Sequence, residues 1–424
     1  MIIENSRMTI DHVVRRWALD EGFLVGRMSF ISGPRQIGKT SLAQRHLESL
    51  GQQGHYHSWD SIALRRRFAQ NPLFFIENLP PAVSSPALPS PNRLPWVVFD
   101  EIHKYPRWKN ILKGYYDEWR NRIRFIVTGS ARLDYFRRSG DSLVGRYFLF
   151  RMNPLHPNDL AGRAPDMKAS WTPHSAGLAF DVADREFSQA SSLLNDLTGF
   201  PEPLVMGTRE FYERWKNQHI SLITGEDARD LSRIVNLRKL ETLVFLLPER
   251  VGAPLSLNSL RAALDCAHAS VENWLETLKK VYLVFDIAPY AGKLKRSVVK
   301  ERKFYFWDWG MVNDPGKRFE NYAAVMLARA VSAWSEWGKG DFRLHYLRTR
   351  EGREVDFLIT DKQKPLLLVE CKSNEKSLDP SVSYFKERLG VPFGFQVVNM
   401  AGVLRQAGPG VFIVGIDRFL RLLP

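Results

Sequence analysis

The chain has 424 residues, 44% of them hydrophobic, with 60 Lys and Arg against 46 Asp and Glu and a formal net charge of +14. That apolar content excludes a disordered or collagen-like chain, and the length implies roughly two to four packed units. Apolar runs such as 243–247 and 366–369 fall far short of the ~20 residues of a membrane helix, and residues 1–20 are too charged for a signal peptide. A cytoplasmic protein with no membrane segment is therefore expected, and its two cysteines, Cys266 and Cys371, fit a reducing compartment. The basic excess would attract a polyanion, DNA above all, although a merely solvated basic surface gives the same total.

Residues 28–32 read as a short apolar strand. Gly33-Pro34-Arg35-Gln36-Ile37-Gly38-Lys39-Thr40 follows at once, and the chain from Ser41 onward reads as helix. This is the pattern GxxxxGK[ST] in its strand, loop, helix setting. The glycines let backbone N–H groups curl toward phosphate oxygens, Lys39 adds a charge at the terminal phosphates, and Thr40 would place its hydroxyl on a magnesium ion. ATP and Mg2+ are the expected cofactors, with residues 33–41 holding the nucleotide.

Residues 79–95 hold Pro80, Pro81, Pro86, Pro89, Pro91 and Pro95 and read as an exposed loop. Trp96-Val97-Val98-Phe99-Asp100-Glu101 then reads as a buried strand with two acids at its C-terminal end, expected beside the strand that feeds the phosphate loop. Asp100 is assigned to magnesium and Glu101 to polarising the attacking water. The strand 124–130 ends in polar residues, so Thr128 or Ser130 is a candidate sensor of the γ-phosphate. Arg146 is a candidate arginine finger in trans or sensor in cis.

Together with the segments SLVGR at 142–146, Pro154-Leu155, TGFPEP at 198–203 and EDARD at 226–230, these motifs resemble the AAA-type ATPases of bacteria and archaea that carry a C-terminal domain of unknown function. The resemblance implies nucleotide binding with magnesium.

Residues 163–184 show no sustained period. Further on, 256–264 reads as helix, 267–270 as a turn, 271–280 as a second helix and 281–287 as a strand, followed by a basic turn over 291–302. That order is a winged helix, with 269–280 in the recognition position and Lys293, Lys295, Arg296 and Lys300 on the wing. Glu272 and Glu276 on the same helix would repel phosphate, so a winged helix serving as spacer or protein contact is the other reading.

Residues 319–334 have helical periodicity, with Glu320, Ala324, Leu327 and Val331 on one face. Asp356 lies in a strand over 354–360, and Glu370 and Lys372 share one face of the strand 366–372. An acid on a helix, an acid on a strand and Glu-x-Lys on the next strand is similar to the PD-(D/E)xK nuclease pattern. Asp356 and Glu370 would hold a second divalent metal, joined by Glu320 directly or through water, and Lys372 would stabilise the attacking hydroxide or the phosphorane charge.

The expected fold class is α/β in three parts. These are an AAA-type P-loop NTPase domain over 1–165, a helical and winged-helix domain over 166–300, and a restriction-endonuclease-like α/β domain over 301–424. The expected function is ATP hydrolysis coupled to DNA binding, with DNA cleavage if the acid set is active. The alternative is a nucleotide-dependent switch or scaffold for protein partners, carrying an inactive nuclease-like domain. An oligomer is required only if Arg146 works in trans.

Overall fold

A computed structural model describes residues 26–83, 94–129, 143–163, 171–175, 184–228, 236–291, 301–374 and 377–424, with Ile10, His12, residues 14–19, Leu24 and Ser85. Ser130 and the wing cations Lys293, Lys295, Arg296 and Lys300 lie outside the described residues. Residues 12–153 pack as one compact unit and residues 154–424 as another.

The first unit is built on β1 (Met28–Ser32), β2 (Tyr56–Ser58), β3 (Trp96–Asp100), β4 (Arg124–Thr128) and β5 (Tyr147–Arg151). They form one parallel sheet in the order β2-β3-β4-β1-β5. Every residue of β1 and β3 is buried, as strands of a parallel sheet covered on both faces are. Phe30, Trp59, Phe74, Phe75, Phe99 and Phe125 are among the large side chains of this core. Helix α1 (Lys39–Ser49) follows the phosphate loop, α2 (Ile62–Gln70) follows β2, and α3 (Trp108–Trp119) links β3 to β4.

The strand order corrects one expectation. The connection through α1 carries the chain to the far edge of the sheet, and β4 later fills the place beside β1. The acid-bearing strand β3 is therefore not the neighbour of β1. It pairs with β4 instead, which puts Asp100 in register with Thr128.

The second unit carries helices α4 (Arg185–Asp196), α5 (Arg209–Leu222), α6 (Leu237–Leu246), α7 (Leu257–Leu264) and α8 (His268–Lys280) before a mixed sheet. Its strands are β6 (Val284–Pro289), β7 (Lys303–Phe306), β8 (Phe342–Arg348), β9 (Glu354–Asp361), β10 (Lys364–Lys372), β11 (Phe393–Val398), β12 (Leu404–Gly408) and β13 (Val411–Gly415). They lie in the order β12-β13-β11-β10-β9-β8-β6-β7. Helix α9 (Pro315–Glu336) precedes β8, and α10 (Pro380–Leu389) joins β10 to β11 in a parallel crossover. The hairpin β6-β7, which the sequence places at the wing, is built into this sheet, because β6 pairs with β8 at Ala288 and Pro289.

Helix α9 starts at Pro315 with the Asp314 side chain accepting from Lys317 N at 2.8 Å, a proline and N-cap start. Residues 321–327 are all buried, so the helix is enclosed on every side there and does not show the single apolar face its periodicity suggests. Asn321 explains part of this: it accepts from Phe306 N at 2.9 Å and donates to Phe306 O at 2.7 Å, satisfying the backbone of edge strand β7.

The TGFPEP segment proves to be a packing motif. A side chain on Gly199 would collide with the Trp309 ring and Pro154, and one on Gly310 would collide with Leu197 O and the Tyr212 ring. Between them lies the buried carboxylate of Asp308, which accepts from Thr198 Oγ1 at 2.7 Å, Tyr212 Oη at 2.9 Å and Gly310 N at 3.1 Å. Burial pushes Asp308 up from 3.8 to about 6, against the pull of Thr198 and Tyr212. The folded chain thus holds this proton more tightly than the unfolded one. Stability from this group is present below pH 3.8 and lost as pH rises through about 6, a loss of roughly 3 kcal/mol. Urea titrations at a series of pH values should show wild type losing that amount relative to Asp308→Asn. A difference that stays flat from pH 4 to 7 would contradict the assignment.

Candidate active site

The phosphate loop runs from the end of β1 to the start of α1. Gly33 has a φ of +150°, and a Cβ there would lie on the Met152 carbonyl, so only glycine permits the close approach of the loop to the end of β5. Gly38 caps α1 in the left-handed region at φ +101°, a conformation that suits a residue without Cβ. Lys39 is buried, and its ammonium donates to Gly33 O at 3.0 Å and Pro34 O at 2.6 Å. The lysine is thereby folded back over the loop whose N–H groups would receive the phosphates.

Asp100 is the hub of this site. Thr40 Oγ1 donates to its Oδ2 at 3.1 Å, Tyr56 Oη donates to the same oxygen, and Thr128 Oγ1 donates to Oδ1. Three hydroxyls from α1, β2 and β4 thus converge on one carboxylate at the C-terminal edge of a parallel sheet, the edge where such sheets bind ligands. Thr40 beside Asp100 is a hard-oxygen pair of the kind that suits magnesium with a nucleotide's phosphates. Burial, then the hydrogen bond and charge of Asp100, push the Tyr56 phenol up. Sequence reasoning missed Tyr56. No local pattern marks it, because its relation to Asp100 depends on β2 pairing with β3.

Glu101 follows with a left-handed backbone, φ +55°, uncommon for a residue with a side chain. Its N–H donates to Thr128 O at 3.0 Å. The carboxylate lies 3.4 Å from His103 Nε2 and 3.9 Å from Lys104 Nζ. Burial raises its pKa to about 7 against the opposing charge of Lys39. A carboxylate near neutrality is suited to accept a proton from water.

Arg146 stands elsewhere. It immediately precedes β5, at the end of the sheet where Tyr147 pairs with Met28, whereas the phosphate loop leaves from Ser32 beside Arg151. Its guanidinium makes a bidentate contact with Asp117, at 2.8 and 3.1 Å. This placement corrects the cis-sensor expectation: a parallel pairing keeps the start of β5 away from the end of β1. A finger role is left only toward a second copy.

In the second unit, α9, β9 and β10 bring Glu320, Asp356, Glu370 and Lys372 to one region, joined by two residues that the sequence reading did not single out. Lys303, at the start of β7, lies 3.3 Å from Asp356 Oδ1, 3.4 Å from Glu320 Oε1 and 2.6 Å from Glu354 Oε1. Tyr305, two residues on and so on the same face of β7, donates to Glu320 Oε1 at 2.7 Å. Lys372 pairs with Glu370 at 2.7 Å and Asp379 at 3.0 Å. Burial alone would lower the Lys303 pKa, but Asp356, Glu320 and Glu354 overcome it and hold the ammonium charged. Burial, and after it the Asp356 charge, push Glu320 and Glu370 up. Among the described residues no group of three or more His, Cys, Asp or Glu is disposed to hold a metal ion.

The helix in the recognition position, α8, contributes Glu272 and Glu276 to a cavity of about 320 Å³ that Asp286, Glu301 and Arg302 also line. Among the described residues no helix is long and apolar enough to cross a membrane.

Three family models match in succession: an AAA domain over residues 26–160, and two domains of unknown function, over 197–315 and 315–416. Uncharacterized proteins of Mycobacterium tuberculosis and Mycobacterium bovis are each 20% identical over 350 residues, which span 79% of this chain and 68% of theirs. An uncharacterized protein of Methanocaldococcus jannaschii is 22% identical over 310 residues, 69% of this chain and 64% of its own. With the parallel sheet and the loop at residues 33–40, the match over residues 26–160 supports an AAA-type P-loop ATPase fold for the N-terminal region.

Proposed function

We propose that the chain is a magnesium-dependent ATPase whose N-terminal unit drives a DNA-binding C-terminal unit. The convergence of Thr40, Tyr56 and Thr128 on Asp100 beside the phosphate loop carries this reading. Bound ATP and Mg2+ would supply the reactive phosphoanhydride and neutralise its charge. The chain's own residues do the rest. Loop N–H groups and Lys39 orient the terminal phosphates, Thr40 and Asp100 hold the ion's ligands in place, and Thr128 fixes the Asp100 rotamer. Glu101 accepts a proton from the attacking water.

The second unit, read as a winged helix followed by a restriction-endonuclease-like domain, is the DNA-binding part. The net charge of +14 and the run Lys293, Lys295, Arg296, Lys300 support that partner. Anisotropy titrations with labelled duplex at increasing salt should give an affinity that falls steeply. Replacing the four cations with Gln should flatten the log-log slope by about 3 to 4. Binding indifferent to salt would remove DNA as the partner.

A specific observation favours the second reading, a nucleotide-dependent switch for protein partners. Glu272, Glu276, Asp286 and Glu301 line one cavity, and although Lys279 pairs with Glu276 and Asp286 and Arg302 pairs with Asp286, the four acids outnumber these two cations, which suits a basic protein segment better than phosphate. A protein complex gained or lost with ATP, without salt-sensitive DNA binding, is the outcome that selects it.

A further inference from the structure

The carboxylates of the second unit do not fit a divalent metal, because a cation of the chain's own already stands among them. The Lys303 side chain is fully buried, with Glu354, Asp356 and Glu320 oxygens at 2.6, 3.3 and 3.4 Å from its ammonium. Oxygens of Asp356 and Glu370 are also taken by protein donors. Asp356 Oδ2 accepts from Cys371 N at 3.0 Å, Glu370 Oε2 from Asp356 N at 3.2 Å, and Glu370 Oε1 from Lys372 Nζ at 2.7 Å. The second oxygen of Glu320 faces Gly252, where a Cβ would come within 2.6 Å of it. A metal needs several oxygens aimed at one point from about 2.0 to 2.6 Å. Apart from Glu320 Oε2, these oxygens are met by backbone N–H groups, lysine ammoniums or the Tyr305 hydroxyl.

Lys303 is also fixed from the backbone side. It pairs with Ile287 in β6 and bridges to Pro254. Leu255 N donates to the preceding carbonyl, Arg302 O, at 2.9 Å, and Asn321 clamps Phe306 at the other end of the strand. The backbone that carries this side chain is thus held in place from both sides. An ammonium enclosed by three carboxylates offsets the charge that a divalent ion would otherwise offset, and a partnered buried charge of this kind is retained only where its partners surround it.

We propose that Lys303 is a built-in counter-ion in the place a divalent metal would take, so that this unit keeps nuclease-like acids while excluding the metal that cleavage would require. The proposal deepens the nuclease-like reading of the C-terminal unit and rests on it only for the identity of the metal excluded.

The test is Mn2+ binding to nucleotide-free full-length protein, followed by calorimetry and by thermal melting. Wild type, Lys303→Met and Lys303→Gln are compared, each with and without Asp356→Asn. Both lysine variants are expected to gain about one Mn2+ that Asp356→Asn removes, with a melting temperature raised by Mn2+. Wild type is expected to bind none that Asp356→Asn removes. If a lysine variant does not fold unaided, Mn2+ is expected to restore its folded state. Wild-type Mn2+ binding lost in Asp356→Asn would overturn the proposal, as would lysine variants that neither gain Mn2+ nor are rescued by it. The readout is bound metal, so its failure leaves DNA binding untouched, and a loss of DNA binding leaves it untouched in turn.

Discussion

Lys39→Ala is expected to lower ATP hydrolysis by roughly a thousandfold or more, the scale seen when a preorganised charge at developing phosphate oxygens is removed. The lysine begins α1, is buried against the loop, and reaches the carbonyls of Gly33 and Pro34. Alanine is the best helix former, so α1 should persist and the far-ultraviolet circular dichroism should be unchanged. What disappears is the buried loop lysine, the charge placed to follow charge onto a terminal phosphate. Phosphate release under saturating ATP and Mg2+ checks this. A variant within tenfold of wild type would place catalysis outside this loop.

The second large effect is on stability. Arg329 and Asp159 form a buried bidentate pair, with contacts of 2.7 and 3.1 Å, and both are almost fully inaccessible. Arg329 also donates to Pro154 O at 2.9 Å, while Asp159 accepts from His156 N at 2.8 Å and completes the capping box of the short helix Pro157–Leu160. Arg329→Ala strands a carboxylate in the interior and opens a cavity, which costs about 3–5 kcal/mol. Replacing both residues by apolar side chains of similar size should recover most of that loss, because the buried charge goes with its partner. Urea midpoints of the two singles and the double form the cycle. A loss under about 1 kcal/mol for Arg329→Ala would mean that the pair is solvated in solution.

What the sequence made legible was local. The loop at 33–40, the apolar strand ending at Asp100 and the Glu-x-Lys of β10 are short patterns whose chemistry sits within a few residues, and each falls on the expected kind of element. What it hid depends on strand order. The placement of β4 between β1 and β3, the approach of Tyr56 to Asp100 and the distance of Arg146 from the loop all follow from which strands pair. Lys303 was hidden differently. It closes a run of basic residues, so it reads as one more exposed cation, yet it opens the wholly buried strand KFYF and shares a face with Tyr305. A lysine at the inward position of such a strand, with acids on the facing helix and strands, is the signal that marks it.

The most direct measurement is ATP turnover by wild type and Glu101→Gln, with nucleotide binding measured on the same preparations. Wild type is expected to release phosphate only with Mg2+, while the variant is expected to bind ATP normally but turn over at least about a hundredfold more slowly. A Glu101→Gln protein hydrolysing ATP at the wild-type rate, or a wild type that binds ATP and never cleaves it, would contradict the assignment of this site as an ATPase.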